Sequence, residues 1–148
     1  MILKGKQLTV DFLRAKCKEH NLKVTPQRAA IFEELQMSND HPSADVIYRR
    51  VKKIFPYISF DTVYRTLITF DKIGIITVVE GYGEPKRFDS NFETHHHFRC
   101  LKCNTIMDFW DESYDNIDIP EKLNKQCTVL NKKVILEGIC EECRKKIL

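Results

Sequence analysis

Apolar residues recur at helical spacing through the first half of the chain and change to a strand-like pattern near residue 75. Residues 6–20 set Leu8, Phe12, Leu13 and Cys17 among charges, which predicts an amphipathic helix. Thr25 followed by Pro26 is a helix cap with proline at the first helical position, where a missing N–H costs nothing. The helix that follows carries Ala29, Ala30, Ile31, Phe32 and Leu35. Ser43 can cap a third helix with Val46, Ile47, Val51, Ile54 and Phe55 turned inward, closed by Pro56. Ser59 can cap a fourth, in which Val63, Leu67, Phe70 and Ile73 form one buried stripe before Gly74 ends it. Residues 75–79 are then β-rich, Gly81 to Pro85 reads as a turn, and Lys86 to Asp89 resumes the strand.

Four helices and a hairpin in this order are the pattern of a winged helix-turn-helix, whose fourth helix would enter a DNA groove. Its outward positions include Thr62, Tyr64, Arg65 and Thr69, side chains suited to phosphates and base edges. A winged helix can also bind proteins, so the pattern alone leaves both uses open. The second half mixes strands at 94–101, 105–110 and 127–137 with a helix over 113–125, in which Pro120 must mark a start or a break. The expected class is α+β: a winged helix over 1–84, a hinge over 85–92 and an α/β unit over 93–148.

Charge adds little to this picture. The net +3 of the 148 residues lies wholly within residues 1–84, in clusters such as Arg49/Arg50/Lys52/Lys53, which suit a solvated helix face as well as DNA. No apolar run approaches the roughly 20 residues of a membrane span. Lys4, Lys6, Asp11 and Arg14 interrupt the one candidate for a secretion signal. A cytoplasmic protein without a membrane partner is expected.

Six cysteines change the picture more. Cys100/Cys103 and Cys140/Cys143 are two Cys-x-x-Cys units 36 residues apart. A redox dithiol would need one such unit beside a βαβ segment, which neither has; two units together suit a tetrahedral zinc ion. Four thiolates leave no open position, so this zinc would be structural. Cys17 and Cys127 stand alone, each on an apolar stretch, and are expected as buried free thiols.

His95 and His97 would share one face of a strand, with His96 on the other. His-x-His is a weak metal signal by itself. Asp89 before it, Asp108 on the neighbouring strand and His41 in the loop before the third helix sharpen it, although His41 alone reads as an ordinary loop histidine. Three imidazoles and two carboxylates suit Fe(II), Mn(II), Co(II) or Zn(II). No metallohydrolase or zinc-deaminase pattern is present, and no enzyme activity is expected.

In combination, Thr25-Pro26-Gln27-Arg28, the His41–Asp45 loop, Thr62-Val63-Tyr64-Arg65-Thr66-Leu67, Arg87-Phe88-Asp89, the His-x-His strand and both Cys-x-x-Cys units resemble the ferric uptake regulator (Fur) family of metal-dependent repressors, over about residues 8–145. The resemblance implies a homodimer that binds a palindromic, AT-rich double-stranded operator. It implies structural zinc on Cys100, Cys103, Cys140 and Cys143. It also implies a regulatory Fe(II) or Mn(II) on His41, Asp89, His95, His97 and Asp108, where purified protein can instead carry zinc. DNA contacts carried over are Tyr64 toward a thymine methyl or phosphate, Arg65 toward a base edge or phosphate, and Lys23 toward the minor groove; Thr62 and Gln27 are weaker, and Tyr64 can instead pack on the wing.

Within the family, aspartate at positions 89 and 108 resembles the peroxide-stress repressors (PerR-type), in which Fe(II) and hydrogen peroxide oxidise a histidine ligand, here His41 or His95. Tyr64-Arg65 is more like the iron-uptake repressors, and a zinc-responsive member is the remaining alternative. Many members hold a further metal through a histidine near the last strand; residues 130–133 offer none, and only His96 and Asp115 would remain of such a site.

Overall fold

The computed structural model describes residues 8–79 and 85–147. The chain divides into two compact units, with the break between Phe92 and Glu93.

The first unit contains helices α1 (Val10–Glu19), α2 (Pro26–Met37), α3 (Ala44–Lys52) and α4 (Phe60–Lys72), then strands β1 (Thr77–Val79) and β2 (Arg87–Asp89). Each helix starts where a hydroxyl can cap it. Thr9, Thr25, Ser43 and Ser59 accept the N–H of Phe12, Arg28, Val46 and Thr62. Helix α4 stops because Gly74 takes φ +78°, which lets its own N–H donate to the Asp71 carbonyl and that of Ile75 to the Phe70 carbonyl. This return folds Ile75 and Ile76 into a core built from Leu13, Ile31, Phe32, Leu35, Ile47, Val51, Val63, Leu67 and Phe70. Strands β1 and β2 pair antiparallel with Val78 opposite Phe88, and Phe88 is buried in the same core. This is the winged-helix arrangement. Of the turn expected over Gly81–Pro85, residues 81–84 lie outside the described residues. Residues 87–89, within the segment expected to link the units, form the second strand of the hairpin.

One detail of this unit differs from expectation. Ile54 is exposed rather than inward, because α3 ends at Lys52 and Ile54 follows in a turn. Tyr64 stacks on Phe60 of its own helix.

The second unit contains β3 (His96–Cys100), β4 (Ile106–Phe109), α5 (Glu112–Asp115), α6 (Glu121–Gln126), β5 (Ile135–Gly138) and α7 (Glu141–Ile147). Its sheet has the order β4-β3-β5, with β3 antiparallel to β4 and parallel to β5. The single helix expected over 113–125 is two short ones, with Pro120 at the N-cap of α6. The strand expected over 127–137 is confined to Ile135–Gly138. Its ladder with β3 begins at His97 opposite Ile135, where the His97 N–H donates to the Val134 carbonyl, so residues 127–133 run past the paired part of β3. Cys127, expected to be buried, is exposed at the end of α6, a helix with no buried side chain to shelter it. Cys17 is buried as expected.

Candidate metal centres and the recognition-helix face

The parallel register of β3 and β5 assembles the four-cysteine cluster. Cys100 lies opposite Gly138, two residues before Cys140, so both Cys-x-x-Cys turns emerge at one end of the sheet. A Cβ on Gly138 would come within 3.3 Å of the Phe98 ring, so the close β3–β5 approach suits a residue without a side chain. The four Sγ atoms lie within 4.8 Å of one another, and Cys103 and Cys140 are 3.7 Å apart. A tetrahedron with Zn–S bonds of about 2.3 Å has edges of about 3.8 Å, so the donor set fits zinc.

The local electrostatics favour a metal here. The backbone N–H groups of Cys103 and then Cys140 hold the Cys100 thiol down at about 6. Thr105 lowers Cys103. Burial, and then the neighbouring thiols, push Cys143 up to about 12. Four sulfurs this close cannot all carry charge without a cation.

Two further donor groups stand one in each unit. In the second unit, the Nε2 atoms of His95 and His97 are 3.1 Å apart, and Asp108 Oδ1 lies 3.2 Å from His97 and 3.6 Å from His95. Strand alternation puts His95 and His97 on one face, and the β3–β4 register puts Asp108 opposite His97. His95 Nδ1 donates to the Glu93 carbonyl at 2.6 Å. A carbonyl only accepts, so Nδ1 carries the proton and Nε2 presents its lone pair to the other donors. Bonds of about 2.1 Å meeting at 90–109° put donors about 3.0–3.4 Å apart, a range that both His97 separations fall in and that the His95–Asp108 separation slightly exceeds. In the first unit, His41 Nε2 lies 3.7 Å from Asp89 Oδ2, and both side chains are buried.

His96 points the other way from His95 and His97. Its Nδ1 accepts the Val134 N–H at 3.3 Å, so its Nε2 carries the proton donated to Asp115 Oδ1 at 2.6 Å. Both ring nitrogens are thus used within the protein, and Phe109 and Tyr114 pack on the ring.

The outward side of α4 has two different flanks. One forms a groove with the start of α2, lined by Lys23, Gln27, Arg28, Thr62, Arg65 and Thr69. Arg65 Nε donates to Asp61 Oδ2 at 2.9 Å, and Arg28 Nη1 donates to the Lys23 carbonyl at 2.6 Å. Thr62 shares its hydroxyl with Ser59 at 2.9 Å. The other flank carries Tyr64 on Phe60, a residue that the sequence reading did not single out. Its signal was available: an aromatic directly after a serine cap stands at a position that needs no large apolar side chain.

Residues 19–137 match the ferric uptake regulator family. A peroxide-responsive repressor, PerR, from Staphylococcus epidermidis is 36% identical over 135 residues, covering 89% of this chain and 88% of the relative. Among solved structures, the Helicobacter pylori ferric uptake regulator Fur superposes with a TM-score of 0.76 at 26% identity, over 91% of each chain. PerR from Streptococcus pyogenes does so with a TM-score of 0.52 at 29% identity, over 97% of this chain and 95% of the other. The chain belongs to the ferric uptake regulator family.

Proposed function

We propose that this chain is a metal-responsive, DNA-binding transcriptional repressor that works as a homodimer and senses peroxide through a histidine ligand. The carrying observation is that each unit offers only part of a coordination shell: His41 and Asp89 in one, His95, His97 and Asp108 in the other. A five- or six-coordinate Fe(II) or Mn(II) ion needs both sets. Two carboxylates and three neutral imidazoles would balance its charge.

An ion bonded to both units fixes the angle between them. In a dimer, that angle sets the spacing of the two α4 helices, which must match two operator half-sites. Without the ion the angles spread, and few of them fit DNA. The chain's own residues would then read a palindromic, AT-rich duplex through Tyr64, Arg65, Thr62 and Lys23. Support for a dimer comes from the second unit, which buries little beyond its cysteines while Met107, Trp110, Leu123, Leu130 and Leu136 are exposed. The zinc cluster would hold that small unit together.

The peroxide reading rests on aspartate rather than glutamate at positions 89 and 108 and on the similarity to peroxide-responsive repressors. Iron at this site supplies the redox chemistry; in the net reaction hydrogen peroxide gives one oxygen atom to an imidazole and leaves as water. His95 sits with its Nε2 turned to the other donors of its unit, and His41 would complete the shell from the other unit. A modified ligand releases the ion, and with it the DNA. The second reading, an iron-uptake repressor using Fe(II) as corepressor, is favoured by Tyr64-Arg65 in α4.

Gel mobility on palindromic AT-rich duplexes, with and without Mn(II) and across salt, tests the regulator reading. Metal-enhanced, salt-sensitive binding is expected; binding indifferent to both would remove it. Protein loaded with Fe(II) and exposed briefly to micromolar peroxide should gain one oxygen mass on a peptide containing His41 or His95, and the Mn(II) form should not. An unchanged Fe(II) form supports the iron-uptake reading.

A further inference from the structure

Phe60 opens α4 directly after the Ser59 cap, and the residue is 45% exposed. It does nothing for the cap, which is made by a hydroxyl, and it is not part of the buried core. Yet its position is fixed. It stacks on Tyr64 one turn later, with centroids 6.1 Å apart and planes 21° apart, and Tyr48 of α3 meets it edge-on at 5.7 Å and 84°. Tyr48 is fixed in turn by Lys52, whose Nζ donates to its hydroxyl at 3.0 Å and lies 5.2 Å from its ring centroid. The result is an ordered aromatic ladder on the flank of α4 opposite the polar groove, bordered by the exposed cations Lys52 and Lys53.

This inference rests on the DNA-binding reading above. The exposed apolar edge of Phe60 must meet something apolar within an anionic partner, since cations flank it. The major groove presents hydrogen-bonding groups at every base pair, and its one apolar feature is the C5-methyl of thymine. A phenyl ring can make no hydrogen bond to a base edge or a phosphate. Residues i and i+4 of a helix are about 6 Å apart along its axis, close to two base steps of about 3.4 Å each. The first turn of a recognition helix is also the part that reaches base edges. We infer that Phe60 is a further specificity-determining residue that reads a thymine methyl group beside Tyr64, whose stacked ring holds it in place.

The test uses the full chain loaded with zinc and Mn(II), and the duplex it enriches from a randomised pool. Each thymine in turn is replaced by deoxyuridine, which removes only the methyl group. At one position in each half-site, the wild type should lose about fourfold in affinity, the worth of one buried methyl at about 0.8 kcal/mol. Phe60→Ala should bind the thymine duplex more weakly and show no further loss with deoxyuridine at that position. Phe60→Leu, which keeps an apolar side chain, should retain part of the difference, and thermal melting of both variants should match the wild type. The inference is overturned if Phe60→Ala keeps the full methyl dependence, if no thymine shows any, or if Phe60→Ala leaves every duplex affinity unchanged, which would make the ladder a protein-docking surface. If the wild type enriches no duplex at all, the DNA-binding reading itself falls and this inference with it.

Discussion

Arg87 grips the backbone of His41 while its strand neighbour Asp89 faces the same residue's ring. The Arg87 guanidinium donates through Nη2 to the Asp40 carbonyl at 2.6 Å and through Nε to the His41 carbonyl. Two residues along β2, on the same face, Asp89 Oδ2 lies 3.7 Å from His41 Nε2. The Phe88 N–H between them donates to the Pro42 carbonyl at 3.0 Å. His41 needs this grip because it sits at φ +49°, a left-handed conformation that costs a residue with a side chain about 1 kcal/mol. Arg50 ties the same loop to α3 through Asp40 and Ser38.

Replacing Arg87 should therefore weaken metal binding although Arg87 is not a ligand. Both Arg87→Ala and Arg87→Lys should lower Mn(II) affinity about tenfold, the usual effect of losing a group that orients a ligand. Lysine keeps the charge but cannot make the forked contact to two carbonyls. Titration calorimetry gives the affinity, and metal analysis should find zinc content unchanged. Wild-type Mn(II) affinity in both variants would show that the grip does not matter to the site.

Zinc loading should depend on pH with a definite sign. Burial holds the Cys143 thiol up at about 12, so at neutral pH it is protonated in the metal-free chain and must release that proton when zinc binds. Zinc affinity therefore rises with pH. Cys100, held down at about 6, is already a thiolate at neutral pH and adds a further proton only below that value. Competition against a zinc indicator between pH 5 and 8 should show affinity climbing at least about tenfold per unit, and more steeply below about pH 6. A flat profile would contradict the protonation pattern.

The parts legible in the sequence were those in which one residue does one local job. Thr25-Pro26, Ser43, Ser59 and Gly74 mark helix ends through their own backbone chemistry, and the structure uses each of them that way. The cysteine pairs were legible because their spacing has few other uses. What failed depended on partners far along the chain. Residues 127–133 have strand-like composition, but β3 begins too late to pair with them. Cys127 sits in an apolar stretch, yet no buried side chain of α6 covers it. Phe60 was missed because its place depends on Tyr48 of another helix, a contact that no local pattern announces.

Gly74 provides a stability test apart from any metal. An added Cβ would have nothing within 4 Å, so the whole effect of Gly74→Ala comes from φ +78°. The substitution should cost about 1–2 kcal/mol. Denaturant unfolding of the first unit's transition should show this without a change of slope. A neutral result would mean that the α4 terminus relaxes into another turn.

Asp108→Glu separates repression from peroxide sensing. Asp108 Oδ1 lies 3.2 Å from His97 Nε2 and 3.6 Å from His95 Nε2, which suits a short carboxylate reaching an ion with one oxygen. An added methylene carries the carboxylate about 1.5 Å farther, so that both oxygens can reach the ion and occupy the position peroxide needs. The ion would still join both donor groups, so metal-enhanced DNA binding should persist. Oxidation should slow about tenfold or more, because that position is filled for most of the time. The rate of oxygen gain on the His41 and His95 peptides, followed by mass spectrometry beside the loss of DNA binding, measures both effects on one sample. Oxidation as fast as in the wild type would show that the length of this carboxylate does not govern access to the site, and the aspartates would no longer favour the peroxide reading over the iron-uptake one.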